Sequence, residues 1–219
     1  MNKYLTEFIG TYFLVLTIAL SVLGGVSLPP LAIGCGLMVM VYMGGHISGA
    51  HYNPAITLAV ALRGRCRWID VVPYWMAQVL GSGLATVTAY WMLKKLLEVK
   101  PAAEYIVGNG LWIALLAEFL FTFALALVIL NVATSKRTAG NSYYGLAIGF
   151  TVLTAAFVAG PISGGAFNPS VGFGPWLVGG LINNVWDCSY AWIYAAGPFA
   201  GAVVAALVFR LQNPEDFGA

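Results

Sequence analysis

The sequence has very few charged residues. Of its 219 residues, ten are Lys or Arg and eight are Asp or Glu, whereas 60% are hydrophobic and the mean hydropathy is +0.85. A soluble domain normally carries charge on about a quarter of its residues, so this chain cannot cover a water-facing surface. The composition therefore indicates a membrane protein that crosses the bilayer several times.

Other absences exclude further classes of protein. A formal net charge of +2 provides no basic surface for nucleic acid. The three cysteines, Cys35, Cys66 and Cys188, are scattered, so they form no metal or redox motif, and we expect neither a metal nor a cofactor. The 26 glycines and 10 prolines follow no short period, which excludes a collagen-like or disordered chain. No acid–base pair or nucleophile constellation appears, so we do not expect an enzyme.

The gaps between charges predict the membrane spans. A helix needs about 20 apolar residues to cross the bilayer. The longest charge-free runs are residues 8–62, 71–93, 138–186 and 188–209. Together with a segment interrupted only by Glu118, they predict six spans near Leu5–Val26, Leu31–Gly44, Val71–Leu93, Leu111–Asn131, Tyr144–Ala159 and Cys188–Phe209. Two uncharged remainders, Gly45–Leu62 and the stretch from Gly160 onward, are too short and too rich in glycine to cross.

The positions of Lys and Arg predict the orientation, because cytoplasmic loops are enriched in both. Six spans put both termini on one side of the membrane. The cations on that side are Lys3, Arg63, Arg65, Arg67, Lys136, Arg137 and Arg210. The cations on the other side are Lys94, Lys95 and Lys100. We therefore expect both termini in the cytoplasm. We also expect the protein in a plasma (inner) membrane. Glu7 lies inside the first apolar run, which argues against a secretory signal there.

The chain contains an internal repeat. Gly45–Ala55 aligns with Gly160–Ser170, and six of the eleven aligned positions are identical. Upstream, Glu7 and Glu118 begin matching segments. Downstream, Gly81 and Gly201 each lead a stripe of small residues of the kind that lets membrane helices approach closely. We expect a single domain made of two repeats, residues 1–100 and 101–219. Because each holds three spans, the second is inverted, and the two uncharged segments enter from opposite faces.

Each uncharged segment contains an Asn-Pro pair, which is a helix start: Asn caps free N–H groups and Pro suits the first helical position. Short helices are predicted at Pro54–Arg63 and Pro169–Leu177, capped by Asn53 and Asn168. The backbone before each Asn is expected to be extended. Such backbone is tolerated at membrane depth only against protein or a water-filled cavity, so two opposed helices of this kind imply a pore.

Asn53-Pro54-Ala55 and Asn168-Pro169-Ser170, in matching contexts, resemble the twin signature of the aquaporin, or major intrinsic protein, family. The resemblance covers the whole chain. It implies an all-α membrane protein with six transmembrane helices, two re-entrant half-helices and an inverted three-helix repeat. It further implies a passive channel for water and small neutral solutes that excludes ions and protons, embedded in lipid as a homotetramer.

The resemblance also implies roles for individual residues. The amides of Asn53 and Asn168 would donate to passing water. The backbone carbonyls that would accept from it belong to Gly49, Ala50, His51, Tyr52, Gly164, Gly165, Ala166 and Phe167. The half-helix N-termini would repel cations. The alternative is that both asparagines are only helix caps that face protein.

Each of two pairs of titratable residues could have either of two roles. Acids within membrane spans are functional candidates, so Glu7 and Glu118 could be ion sites of a secondary transporter. Their repetition with the Asn-Pro segments, and the resemblance, favour a second role, in which each carboxylate braces its re-entrant loop through backbone N–H groups. His46 and His51 could form a pH gate. A hydrogen bond that stabilises the loop is the other interpretation, and the one we favour.

The sequence departs from the family pattern at the constriction. Water-only members typically place Phe, His, a small residue and Arg there. The matching positions in this chain are Ile33, Ala156, Gly165 and Val171. Some plant vacuolar-type members have comparable residues. This set predicts a wide, apolar constriction that passes water with glycerol, urea, ammonia or hydrogen peroxide. If other residues refill the gap, a strict water channel results. A secondary transporter and a closed scaffold are the alternatives from other classes.

Overall fold

The structure, a computed structural model, describes residues 1–217. Within that range it contains eight α-helices and no β-strand. The helices are α1 (Asn2–Leu23), α2 (Pro29–Ser48), α3 (Pro54–Leu62), α4 (Trp68–Leu93), α5 (Gly110–Ile129), α6 (Tyr144–Ser163), α7 (Pro169–Asn183) and α8 (Ile193–Gln212). A π-helical turn, Leu130–Thr134, extends α5, and short 3₁₀ turns lie in the connections and after α8.

Six of these helices are long enough to cross a membrane. They contain 20 to 26 residues, and a helix that rises 1.5 Å per residue needs about 20 to cross the hydrocarbon core. Five of them, α1, α2, α5, α6 and α8, are also apolar enough by composition to be spans. The sixth, α4, is the longest and carries buried polar residues, among them Gln78, Ser82 and Thr86. α3 and α7 are the two short helices.

The sequence prediction ends two of the long helices four residues too early. α2 and α6 continue to Ser48 and Ser163, so the predicted ends at Gly44 and Ala159 are wrong. Each helix stops where the next residue, Gly49 or Gly164, adopts the left-handed conformation, with φ of 89° and 86°.

The other helix bounds also differ from the prediction. α7 runs to Asn183 rather than Leu177, because its glycines do not break it: Gly180 packs on the ring of Trp186, and the left-handed Asn184 ends the helix. α3 ends one residue early, with Arg63 as its cap. α8 begins at Ile193 instead of Cys188, since residues 184–192 form the connection from α7.

The two halves of the molecule use glycine at matching helix contacts. α1 packs against α4, and α5 packs against α8. A Cβ atom on Gly81 would lie 2.4 Å from the carbonyl oxygen of Phe8, and one on Gly201 would lie 2.5 Å from that of Phe119. Only glycine permits this approach, because the atoms it would meet belong to the backbone of the neighbouring helix.

The halves are joined through α2 and α6, which cross at two glycines. A Cβ atom on Gly149 would lie 2.5 Å from the carbonyl oxygen of Gly34. Each short helix packs against the last long helix of the other repeat, α3 on α8 and α7 on α4. This exchange brings the N-terminal ends of α3 and α7 together in the interior.

We predict that Gly81→Ala destabilises the protein by about 3 kcal/mol, the upper range for overpacking a close-packed interior, because the backbone of α1 must move to admit the methyl group. The midpoint of thermal unfolding in detergent measures this change.

Gly83→Ala, in the same helix, is the matched control, since its nearest neighbour would be the Val178 side chain at 4.0 Å. An equal loss of stability in both variants would contradict the close contact between α1 and α4.

Candidate functional site

Asn53 and Asn168 form the caps of the two short helices. The Asn53 side-chain oxygen accepts from the backbone N–H of Ala55 at 2.9 Å, and the Asn168 oxygen accepts from the N–H of Ser170 at the same distance. The Ser170 hydroxyl adds a second hydrogen bond to Asn168, of 2.8 Å. With Pro54 and Pro169 at the first helical positions, both helices begin as the Asn-Pro pairs predict.

Each asparagine also reaches across to the opposite loop. Nδ2 of Asn53 donates to the carbonyl of Phe167 at 2.8 Å, and Nδ2 of Asn168 donates to the carbonyl of Tyr52 at 2.9 Å. An amide nitrogen carries two hydrogens, so each asparagine keeps one N–H beyond this cross-link. Two of the predicted acceptor carbonyls, those of Tyr52 and Phe167, thus already accept hydrogen bonds from protein.

The loops before the asparagines are not extended, which corrects the expectation from the sequence. Ala50, Tyr52 and Phe167 adopt left-handed conformations with φ of 53°, 51° and 48°, and Gly165 has φ of 67°. Such values are unfavourable for residues with a side chain and persist only where the surroundings hold them. The backbone therefore turns from residue to residue, and its N–H groups need partners on the protein side.

Glu7 supplies those partners in the first loop. One carboxylate oxygen accepts from the Ser48 hydroxyl at 2.7 Å and from the N–H of His51 at 2.9 Å. The other accepts from the N–H of Tyr52 at 2.7 Å and from the amide of Gln78 at 2.8 Å. The side chain is fully buried. Its two carboxylate oxygens thus accept from four protein groups, two of which are backbone N–H groups of the first loop.

Glu118 has the same position in the second loop. Its carboxylate accepts from the Ser163 hydroxyl at 2.7 Å and from the N–H groups of Ala166 and Phe167 at 3.0 and 2.6 Å. This carboxylate is also fully buried. Neither Glu118 nor Glu7 lines the two cavities described below.

Several supporting residues were not found from the sequence. Tyr74 and Tyr194 each donate a hydroxyl to the last carbonyl of a long helix, that of Ser48 at 2.7 Å and that of Ser163 at 2.6 Å. Both tyrosines stand seven residues before the glycines Gly81 and Gly201, so the repeat contained a signal for them. Gln78 has no counterpart in the second half, where Pro198 occupies its place.

A cavity of about 410 Å³ adjoins the asparagines on the side opposite the N-terminus, and we call it the outer cavity. All four predicted constriction residues, Ile33, Ala156, Gly165 and Val171, line it together with Asn53 and Asn168. None of the four has a polar side-chain atom. Within residues 1–217 this cavity is lined by His51, Tyr52, Phe167 and Glu98 among others, but by no Arg, Lys or Trp, so the structure brings no cation to the place of the missing arginine.

An inner cavity of about 930 Å³ lies toward the N-terminal side of the membrane. His46 and His51 both line it. His51 is held in place, with Nδ1 3.2 Å from the Thr57 hydroxyl and its ring 5.0 Å from that of Tyr74. Among the described residues, His46 makes no side-chain hydrogen bond. The two histidines that the sequence grouped together therefore differ in their surroundings: His51 is held by neighbouring side chains, whereas His46 has no such hydrogen bond among the described residues.

The matching half-helices, their capping asparagines and the cavities on either side define the class of protein: a membrane channel built from an inverted repeat. Over residues 1–209 the chain matches the family described as Major intrinsic protein. It therefore belongs to the major intrinsic protein family. Members of this family are channels and not enzymes, and this chain is a passive channel for water and small solutes.

Individual relatives agree with this assignment. The chain is 41% identical over 219 residues to "Aquaporin NIP1-1" of Oryza sativa subsp. japonica, covering 96% of this chain and 74% of the rice protein. It is 38% identical over 225 residues to "Putative aquaporin NIP4-1" of Arabidopsis thaliana, covering 98% and 76%. The solved structure of the aquaglyceroporin from Plasmodium falciparum superposes with a TM-score of 0.85 at 21% identity, covering 100% of this chain and 99% of that one. The predicted fold class is confirmed.

We predict that Glu118→Gln lowers the free energy of unfolding by about 3 kcal/mol or more, because a neutral amide replaces the acceptor of three hydrogen bonds and each bond to a charged group contributes about 1.5–3 kcal/mol. Water permeability of reconstituted vesicles should fall in parallel as the second loop loses its shape.

Glu98→Gln is the control for the change in charge. The side chain of Glu98 is 60% exposed, and its one ion pair among the described residues is with Lys100, so this variant should change stability by less than about 1 kcal/mol. Equal stability of the two variants would show that the loop does not depend on the Glu118 carboxylate.

Proposed function

We propose that the channel has a wide, apolar outer constriction that passes water together with glycerol, urea, ammonia and hydrogen peroxide. The observation that carries this proposal is the outer cavity, whose four constriction positions present only aliphatic side chains and a glycine. Ala156 and Gly165 leave room where bulkier residues would narrow the path. Without a fixed cation, the constriction also lacks a group that would hold a polar solute in one orientation.

Ions and protons are excluded by the helix ends rather than by the constriction. Two half-helix N-termini meet in the interior, and each carries a partial charge of about +0.5. At about 4 Å and an effective dielectric constant near 20, one positive unit repels a cation by about 4 kcal/mol. Removing water from an ion costs several kcal/mol more. Neutral solutes meet neither barrier, so this exclusion does not require an arginine at Val171.

Stopped-flow light scattering on proteoliposomes tests the proposal. We expect rapid, non-saturating flux of water and of the four solutes, independent of any ion gradient. Rapid water flux with exclusion of every solute would indicate a strict water channel. Saturating, gradient-dependent flux would indicate a secondary transporter, and no permeability above that of bare lipid would indicate a closed scaffold.

We predict that Val171→Arg lowers glycerol permeability about tenfold, equivalent to a barrier increase of about 1.4 kcal/mol, and lowers water permeability less. Val171 is buried in the first turn of α7 and lines the outer cavity, so an arginine there would narrow the path and bind polar solutes. The same proteoliposome measurement gives both values.

Val185→Arg adds the same charge to an exposed position in the connection after α7, away from the outer cavity, and should leave both permeabilities unchanged. If Val171→Arg slows water as much as glycerol, or slows neither, an arginine at Val171 does not create a size-selecting constriction.

The membrane orientation is also part of the proposal. The distribution of Lys and Arg supports cytoplasmic termini, and the proposed location is a plasma (inner) membrane. In that orientation the exposed Cys188 lies outside and the half-buried Cys66 lies on the cytoplasmic side.

We predict that a membrane-impermeant maleimide labels the wild-type protein in intact cells and does not label Cys188→Ser. The label reaches Cys188 because that residue is exposed in the connection between α7 and α8. Mass spectrometry locates the adduct. Labelling that persists in Cys188→Ser and disappears in Cys66→Ser would reverse the orientation.

We further propose a homotetramer, with a separate pore in each protomer. Family membership supports this assembly, and large apolar side chains are exposed along the outer faces of the long helices, where lipid or another protomer can cover them. Cross-linking in native membranes tests it, with a four-subunit product as the expected limit.

A further inference from the structure

The outer and inner cavities adjoin at three side chains. His51, Ile129 and Ile148 line both the outer cavity of about 410 Å³ and the inner cavity of about 930 Å³. We call these three residues the inner neck. They lie on the inner side of the asparagine pair, whereas the four constriction residues of the previous section border the outer cavity only, with no counterpart in the inner one.

The histidine wall of the inner neck is fixed from several directions. The N–H of His51 donates to Glu7, and its ring lies against Tyr74. The Thr57 hydroxyl accepts from Gln78 and donates to the carbonyl of Asn53, so Nδ1 of His51 is left to donate to Thr57. The other ring nitrogen, Nε2, has no hydrogen-bond partner within residues 1–217 and remains an acceptor that a solute can use.

The isoleucine walls are fixed by helix packing. Ile148 precedes Gly149, where the backbones of α2 and α6 are in contact, so α6 cannot withdraw from the path. Ile129 is the last residue of α5 and is 7% exposed, and it packs in the same buried cluster as Leu125 and Leu130. A neck with anchored walls keeps its width when a solute arrives, because close-packed interiors deform little.

The chemistry of the inner neck suits a particular kind of solute. Two isoleucines offer an apolar wall, and the imidazole offers one acceptor. We propose that the inner neck, rather than the outer constriction, limits the size of the neutral solutes that pass. It favours small polyols, which can turn a C–H edge toward the isoleucines and a hydroxyl toward His51. This inference rests on the proposed function, since it applies only if the channel conducts solutes besides water.

A matched pair of substitutions tests the inference in proteoliposomes, with glycerol, xylitol and water as probes. Ile148→Ala and Ile33→Ala remove the same atoms from side chains that are 4% and 8% exposed, but only Ile148 belongs to the inner neck. We expect Ile148→Ala to raise glycerol permeability about fivefold relative to water, a barrier change of about 1 kcal/mol, and to admit xylitol. Ile33→Ala, at the outer constriction, should change the ratio of glycerol to water much less than Ile148→Ala does. Ile193→Ala, at a buried isoleucine that lines neither cavity, should leave the ratio unchanged.

A substitution that enlarges the side chain distinguishes an effect on the width of the inner neck from an effect of misfolding. Ile148→Phe should lower glycerol permeability about fivefold, and size-exclusion chromatography shows whether each variant is folded. If Ile148→Ala does not fold, Ile129→Ala replaces it with the same expected rise. Equal effects at Ile33 and Ile148, or a larger effect at Ile33, would overturn the inference and leave the proposed function intact. A wild-type channel that excludes glycerol altogether would overturn the proposed function first.

Discussion

Backbone N–H groups in the middle of a bilayer must be hydrogen-bonded within the protein, and the whole centre of this molecule depends on how two loops meet that requirement. The loops before Asn53 and Asn168 turn through left-handed conformations that are each unfavourable by about 1–3 kcal/mol for residues with side chains. Two buried carboxylates, those of Glu7 and Glu118, accept the N–H groups that those turns direct into the protein. The half-helices can begin in the interior only because this arrangement holds.

Much of the centre of the molecule could be predicted because its key residues occur in both repeats of the sequence. The Asn-Pro pairs, the two glutamates and the glycines at 81 and 201 recur in the same order, and a pattern that is repeated constrains the fold more than either copy alone. Residues that act locally were therefore within reach of the sequence: a cap and its proline are neighbours in the chain. The constriction positions were reached through the family pattern, and the cavity that they line is visible only in three dimensions.

The details that sequence reasoning missed depend on contacts between distant segments. α2 and α6 end at a left-handed glycine, and nothing local distinguishes Gly49 from the helical glycines just before it. Phe167 has a positive φ because Glu118 and Asn53 hold its N–H and carbonyl, although its own preference is against it. The tyrosines that cap Ser48 and Ser163 are separated from them by 26 and 31 positions.

Some of the residues that differ between the two repeats face the permeation path. Fold symmetry requires the carboxylates, asparagines and glycines to match, and they do, whereas the residues facing the path are free to diverge. His51 is paired with Ala166 in the alignment of the repeats, so the inner neck contains an imidazole that the second repeat does not match. In the function that we propose, charge exclusion and size selection are therefore separable. The first belongs to the helix ends that both repeats must supply, and the second belongs to side chains that either repeat can change without disturbing the loops. A channel of this kind can widen for neutral solutes and still exclude ions, because the groups that repel charge are part of what holds it folded.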